Sequence, residues 1–290
     1  EGIPPQCGYE YFTAGLDPYL AVIDEEYLST FIKDGGAVFK LVIGPYGGGK
    51  THFLYSVRGL AWKHDFAVAY VPLSPTESPF HSLDRVLAAV MRGLAAPLTT
   101  AEAISGWEDG FPAFLKRWFA RRTEELQEHQ LSSEDAHAQV LADIDAMQVE
   151  SVSFRRAVRA AIVALIEHND TAFDDLCQWL LVEGHTPQLR KEHQVLQKID
   201  QKSAPSILRS LTQMVRQMGY NGLVLLFDEV ERMSSMSSKQ RDKHLSNLRE
   251  LIDECGHTTF QGTMLLFAVP DKKFLEGRTQ IYEALSQRVS

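Results

Sequence analysis

The stretch Val38-Phe39-Lys40-Leu41-Val42-Ile43-Gly44-Pro45-Tyr46-Gly47-Gly48-Gly49-Lys50-Thr51-His52-Phe53-Leu54 decides how this chain is read. Val38 to Ile43 is apolar apart from Lys40 and is bounded by glycines, the pattern of a strand buried on both faces of a parallel sheet. From Thr51 to about Trp62, the residues Phe53, Leu54, Val57, Leu60 and Ala61 recur at helical spacing. Between strand and helix lies a complete G-x-x-x-x-G-K-T. Glycines let a backbone wrap closely around a polyphosphate with its N–H groups turned inward, and the following helix adds its positive N-terminal end. Lys50, expected to face solvent, supplies a point charge for the β- and γ-phosphates, and the Thr51 hydroxyl suits Mg²⁺. The expected nucleotide-binding set is therefore Gly44, Pro45, Tyr46, Gly47, Gly48, Gly49, Lys50, Thr51 and His52. His52 enters by position, since its ring reads more naturally as packing or solvated.

A nucleotide site of this kind needs a carboxylate at the end of a second buried strand. Leu223-Val224-Leu225-Leu226-Phe227-Asp228-Glu229 supplies one. Asp228 would hold Mg²⁺ through its waters, and Glu229 is placed to polarise an attacking water. The adjacent Asp-Glu points to ATP hydrolysis, and no base-reading motif of the Ras-like GTPases is found. A further strand, Met264 to Val269, is where a polar side chain would sense the γ-phosphate. Its final positions are Ala268 and Val269, which leaves Asp271 or Thr263 as weak substitutes.

Working outward, strands are expected at 38–43, 66–73, 223–227 and 264–269, with helices between them, in an α/β architecture with a parallel sheet. Residues 1–37 read as a loop-rich opening segment and one helix, 38–79 as the first part of a nucleotide-binding core, and 219–290 as its second part. The middle, 80–218, is rich in Ala, Leu, Glu, Arg and Gln. Its apolar residues fall three and four apart, as in Leu83, Val86, Leu87, Val90 and again in Phe154, Val158, Ala161, Ile162, Leu165. It reads as an all-helical insertion with essentially no strand.

The chain of 290 residues carries 29 Lys plus Arg against 38 Asp plus Glu, a net charge of −9, so a whole-domain electrostatic grip on nucleic acid is not expected. Two basic strips stand out locally: Phe114–Arg122, and Arg155-Arg156 with Arg159. Each reads better as an amphipathic helix with solvated cations than as a nucleic-acid contact. No apolar run approaches the length that crosses a bilayer. Three scattered cysteines, Cys7, Cys177 and Cys255, argue against a disulfide framework and for a reducing cytoplasm. The ten histidines form no metal-site spacing. With neither a leader nor an initial Met, the sequence reads as a piece of something longer.

These residues carry a resemblance. Gly36-Ala37-Val38-Phe39-Lys40-Leu41-Val42-Ile43-Gly44 with Tyr46 through Leu54, then Val71-Pro72-Leu73-Ser74-Pro75, Leu226-Phe227-Asp228-Glu229-Val230-Glu231 and Tyr282-Glu283-Ala284-Leu285, resemble the ATP-binding proteins of BREX bacteriophage-exclusion systems, the BrxC/BrxD type. A looser likeness is to AAA+ initiator ATPases that load onto DNA. The resemblance implies an AAA+-like P-loop ATPase using ATP and Mg²⁺ in bacterial defence, with a DNA methyltransferase and other system components as partners. It also implies a homo-oligomer, in which Arg288 would act as an arginine finger toward a neighbour's γ-phosphate. Compared with a compact AAA+ core, far more chain separates Lys50 from Asp228, and no lid domain is expected within the two residues that follow Arg288.

Overall fold

The computed structural model describes residues 15–99, 102, 106, 108–184, 187, 191, 193, 195, 198–230, 237–256 and 258–271. Arg288, the Tyr282–Leu285 segment, Cys7 and most of the Ser-rich stretch after Glu229 lie outside them. The described strands are β1 (Ala37–Ile43), β2 (Phe66–Pro72), β3 (Leu94–Ala95), β4 (Gly222–Asp228) and β5 (Thr263–Val269). They form one sheet in the order β1-β5-β4-β2-β3. Every pairing is parallel except that of β3 with β2.

Strict alternation divides the sheet into two apolar faces. Even-numbered residues such as Phe66, Val68, Val224, Leu226, Met264, Leu266 and Ala268 pack on helix α2 (Lys50–Lys63) and on Ile23 and Leu28. Odd-numbered residues such as Ala69, Val71, Leu225, Phe227, Leu265 and Phe267 join a much larger core. Burial on both faces is why these strands read as continuous apolar runs. The larger core is closed by α3 (Leu83–Arg92), α8 (Ala204–Gln217) and α9 (Ser238–Cys255), which carry Val86, Leu87, Leu211, Leu245 and Leu248 to the sheet side. Beyond them α4 (Phe111–Glu128), α5 (Ser133–Ala146), α6 (Val152–Ile166) and α7 (Asp170–Leu180) pack in succession. Trp118 ties α4 to the turn before β4, donating from Nε1 to the Met218 carbonyl at 3.0 Å.

Three local features depart from the sequence expectations. β1 is not buried on both faces: it is an edge strand whose residues are only partly buried, with Ile43 45% exposed. The middle of the chain is not free of strand, because Leu94 and Ala95 add an antiparallel edge to β2. Gly93 permits it: a Cβ at that position would lie 2.1 Å from the Tyr70 carbonyl oxygen, so any side chain would force the two backbones apart. Before β1, the helix α1 (Asp17–Val22) continues through Ile23–Phe31 as a π-helix with i to i+5 bonds, such as Ile32 N–H to the Tyr27 carbonyl at 2.8 Å. Among the described residues no helix is long and apolar enough to cross a membrane.

Candidate functional site

The loop between β1 and α2 turns tightly, with Gly47 and Gly49 at φ +73° and +80°, the region glycine enters without steric cost. Gly49 caps α2, whose first turn holds no acidic side chain of its own, so the positive end of the helix points toward the loop. Tyr46 at the tip is 90% exposed, whereas Lys50 is only 7% exposed. Lys50 is thus not the solvent-facing charge the motif suggests. The loop folds over its stem, and Nζ donates to the Gly44 and Pro45 carbonyls at 3.0 and 3.2 Å. The same carbonyls hold the loop in a ring around the ammonium.

From the other side of the site comes Asp228, the last residue of β4, 1% exposed. It lies on the even-numbered face of the sheet, toward α2. Its Oδ2 accepts the Thr51 hydroxyl at 2.6 Å, although the two residues are 177 positions apart in sequence. The Tyr70 hydroxyl of β2 donates to the same oxygen at 2.9 Å. Oδ1 accepts the Glu229 backbone N–H at 2.8 Å. Glu229 itself sits at φ +59°, a left-handed conformation that costs a non-glycine residue about 1–2 kcal/mol. Such strain is kept where surrounding contacts over-determine it, and the bond to Asp228 is one such contact.

Lys50, Thr51, Asp228 and Glu229 therefore converge at the C-terminal end of the sheet, with Gly44 to Gly49 forming the loop above them. His52 is partly exposed in the first turn of α2, its carbonyl accepting the Ser56 hydroxyl at 3.0 Å. Arg288 lies outside the described residues. Of the two substitute sensors, Thr263 is ruled out by topology. It begins β5, pairs with Ala37 and Leu223, and so lies at the opposite end of the sheet from the loop. Asp271 follows β5 at the loop end and is exposed.

The residues fit a magnesium–triphosphate group. Thr51 and Asp228 offer the hard oxygen donors Mg²⁺ prefers, and Mg²⁺ is commonly held by one or two protein oxygens with phosphates and waters completing its octahedron. The glycine loop and the start of α2 fit phosphates. Burial, followed by the Asp228 carboxylate, pushes the Tyr70 phenol above its ordinary range, so it stays a donor. Tyr70 was missed by the sequence reading. Its one available signal was a hydroxyl within an otherwise apolar strand two residues before Pro72.

The basic strips resolve differently. On α4, Arg117 pairs with Glu102 at 2.7 Å, Arg121 with Asp65 at 3.5 Å and Arg122 with Asp143 at 2.9 Å, while Phe114, Leu115 and Trp118 are buried. Arg159 pairs with Asp145 at 2.9 Å, and Arg155 bonds the Asp145 and Met147 carbonyls. Burial pushes the Cys177 and Cys255 thiols up to about 12, so both stay protonated at neutral pH.

A family model described as BREX system ATP-binding protein BrxC/D matches residues 1–290, and the chain belongs to that family. No curated protein and no solved structure matches the chain.

Proposed function

For this member of a BREX ATP-binding family, we propose that the loop end of the sheet binds Mg²⁺·ATP and hydrolyses it within an AAA+-like P-loop fold. The reading is carried by the 2.6 Å bond between Thr51 and Asp228, which unites a phosphate loop with a strand-end carboxylate from a remote part of the chain. The strand order, in which β5 separates β1 from β4, supports it as well, because the end of β5 then looks between loop and carboxylate.

The residues have separate tasks. Backbone N–H groups from Gly44 to Thr51 and the Lys50 ammonium hold the phosphates, Lys50 exchanging its carbonyl partners for phosphate oxygens. Thr51 directly and Asp228 through waters would hold Mg²⁺, which would neutralise charge on the phosphates. Glu229 orients a water and takes its proton as the water oxygen bonds the γ-phosphorus and the bridging P–O bond breaks, leaving ADP and phosphate. Arg288 of a neighbouring copy completes the charge neutralisation. In a cytoplasmic defence complex, with a DNA methyltransferase among the partners, the nucleotide state would drive assembly or remodelling.

A second reading rests on a specific observation. The end of β5 presents Ala268 and Val269, both fully buried and apolar, where a γ-phosphate sensor would stand. A nucleotide-gated binding module that holds ATP and turns it over poorly fits that feature. Phosphate release measured with Mg²⁺, with Mg²⁺ chelated, and with added DNA separates the two. Magnesium-dependent turnover is the expected result. Tight Mg²⁺·ATP binding with negligible release supports the gated module, and no ATP binding in either condition contradicts both.

A further inference from the structure

Tyr70 stands outside both motifs and yet touches the carboxylate at the centre of the site. Asp228 accepts three donors: Thr51 Oγ1 and Tyr70 Oη on Oδ2, and the Glu229 N–H on Oδ1. Of these, the Thr51 hydroxyl also has to turn a lone pair toward the metal, and the Glu229 N–H is attached to the next residue and moves with it. Tyr70 is the donor fixed independently of loop and Asp-Glu turn. Its backbone N–H bonds the Gly93 carbonyl at 3.2 Å, and its Cα pairs with Leu226 in β4. The close approach of Gly93 leaves β2 no room to shift at this residue. Its ring packs on Tyr55 of α2 with centroids 5.1 Å apart, and the Arg58 guanidinium lies 4.5 Å over the far ring. Strand, helix and neighbouring strand together determine where the hydroxyl points.

Partners behind a metal ligand commonly set its affinity, because they fix the rotation of the ligating group before the ion arrives; losing one typically costs about 10–100-fold in affinity. We infer that Tyr70 is a positioning residue for the metal: its hydroxyl holds the Asp228 carboxylate in the one orientation that serves Mg²⁺ beside Thr51. This rests on the Mg²⁺·ATP reading above. Tyr70 touches neither the phosphates nor the attacking water, so its effect is confined to metal-dependent binding.

The test is the ratio of ATP dissociation constants in EDTA and in Mg²⁺, measured by calorimetry on wild type and Tyr70→Phe. Electron spin resonance of Mn²⁺ with ATP provides a direct metal readout. Tyr70→Phe keeps the ring and its packing, and a thermal melt checks that the fold is retained. ATP affinity in EDTA should stay within about twofold of wild type while the enhancement by metal falls about tenfold. An unchanged ratio overturns the inference. Equal weakening in both conditions also overturns it, since that is what a merely structural tyrosine would produce. If wild type itself shows no enhancement by metal, the Mg²⁺·ATP reading fails, and the role of Tyr70 fails with it.

Discussion

The loop end of the sheet and the outer face of α4 both gather polar side chains, and they are built in opposite ways. On α4 the cations are clustered in sequence: Lys116, Arg117, Arg121 and Arg122 lie within two helical turns. In space they disperse, Arg117 to Glu102, Arg121 to Asp65, Arg122 to Asp143, with Glu125 shared between the last two, and Lys116 to the Phe173 ring at 4.8 Å. At the sheet end the polar residues are scattered in sequence, and three parts of the chain bring the Thr51 hydroxyl, the Tyr70 hydroxyl and the Glu229 N–H onto the one buried Asp228 carboxylate, with Lys50 next to Thr51 at the head of α2. Exposed ion pairs contribute little, because solvent already satisfies the charges. A buried carboxylate has no such substitute. Convergence of remote residues, more than local charge density, marks the place where chemistry is to be expected.

The contrast can be broken most forcefully at Glu229. Glu229→Gln should bind ATP as wild type does and hydrolyse it about a thousandfold more slowly, since the amide preserves shape and cannot accept the proton. Wild-type turnover in a phosphate-release assay would remove Glu229 from the reaction. Lys50→Ala should weaken ATP by about a hundredfold, the scale of charge-assisted bonds to phosphate, as read by calorimetry. Its effect on the fold should be small, because the carbonyls it leaves belong to the exposed loop and can bond water.

A buried group away from both neighbourhoods sharpens the comparison. Burial, with His81 and Arg241 adding to it, holds the His244 imidazole down to about 3. The unfolded chain therefore binds a proton near pH 6.5 that the folded chain refuses, so stability is lost as pH falls below that value. Between pH 7 and 5 the loss should be about 2 kcal/mol, and His244→Phe should flatten it. Urea melts across that range provide the measurement. At the small end, Arg122→Ala should change stability by less than about 1 kcal/mol, because its bonds to Asp143 and Glu125 are half-exposed. A loss of several kcal/mol in the same melts would make the α4 face a structural centre after all.

Strands β2, β4 and β5 were legible because burial on both faces writes them as uninterrupted apolar runs, β1 because it is an apolar run between glycines even though it is a half-exposed edge strand, and α3, α6 and α9 because their core residues repeat at helical spacing. The two-residue β3 was not legible, since it depends on how near Gly93 lets one backbone come to another. The π-helical turn from Ile23 to Phe31 was invisible as well. Its composition carries no mark that distinguishes i to i+5 bonding from i to i+4 bonding, so the segment reads as an ordinary helix. At the site, the glycine-lysine motif and the Asp-Glu pair could be read as two halves of one device, but neither reveals that the loop buries Lys50. Thr263 could be weighed as a sensor only while its end of the sheet was unknown. Tyr70 carries no motif, and its importance appears once β2 lies beside β4.

The central claim is that a nucleotide is held by the loop and the Asp228 strand end and not by the helical face. Hydrogen exchange read by mass spectrometry, with and without Mg²⁺·ATP, tests it directly. Amides from Gly44 to Thr51 and at Asp228 and Glu229 should gain protection, while Phe111–Glu128 exchanges unchanged, and Lys50→Ala should abolish the gain. Protection confined to Phe111–Glu128, or an unaltered loop at saturating nucleotide, would contradict the account.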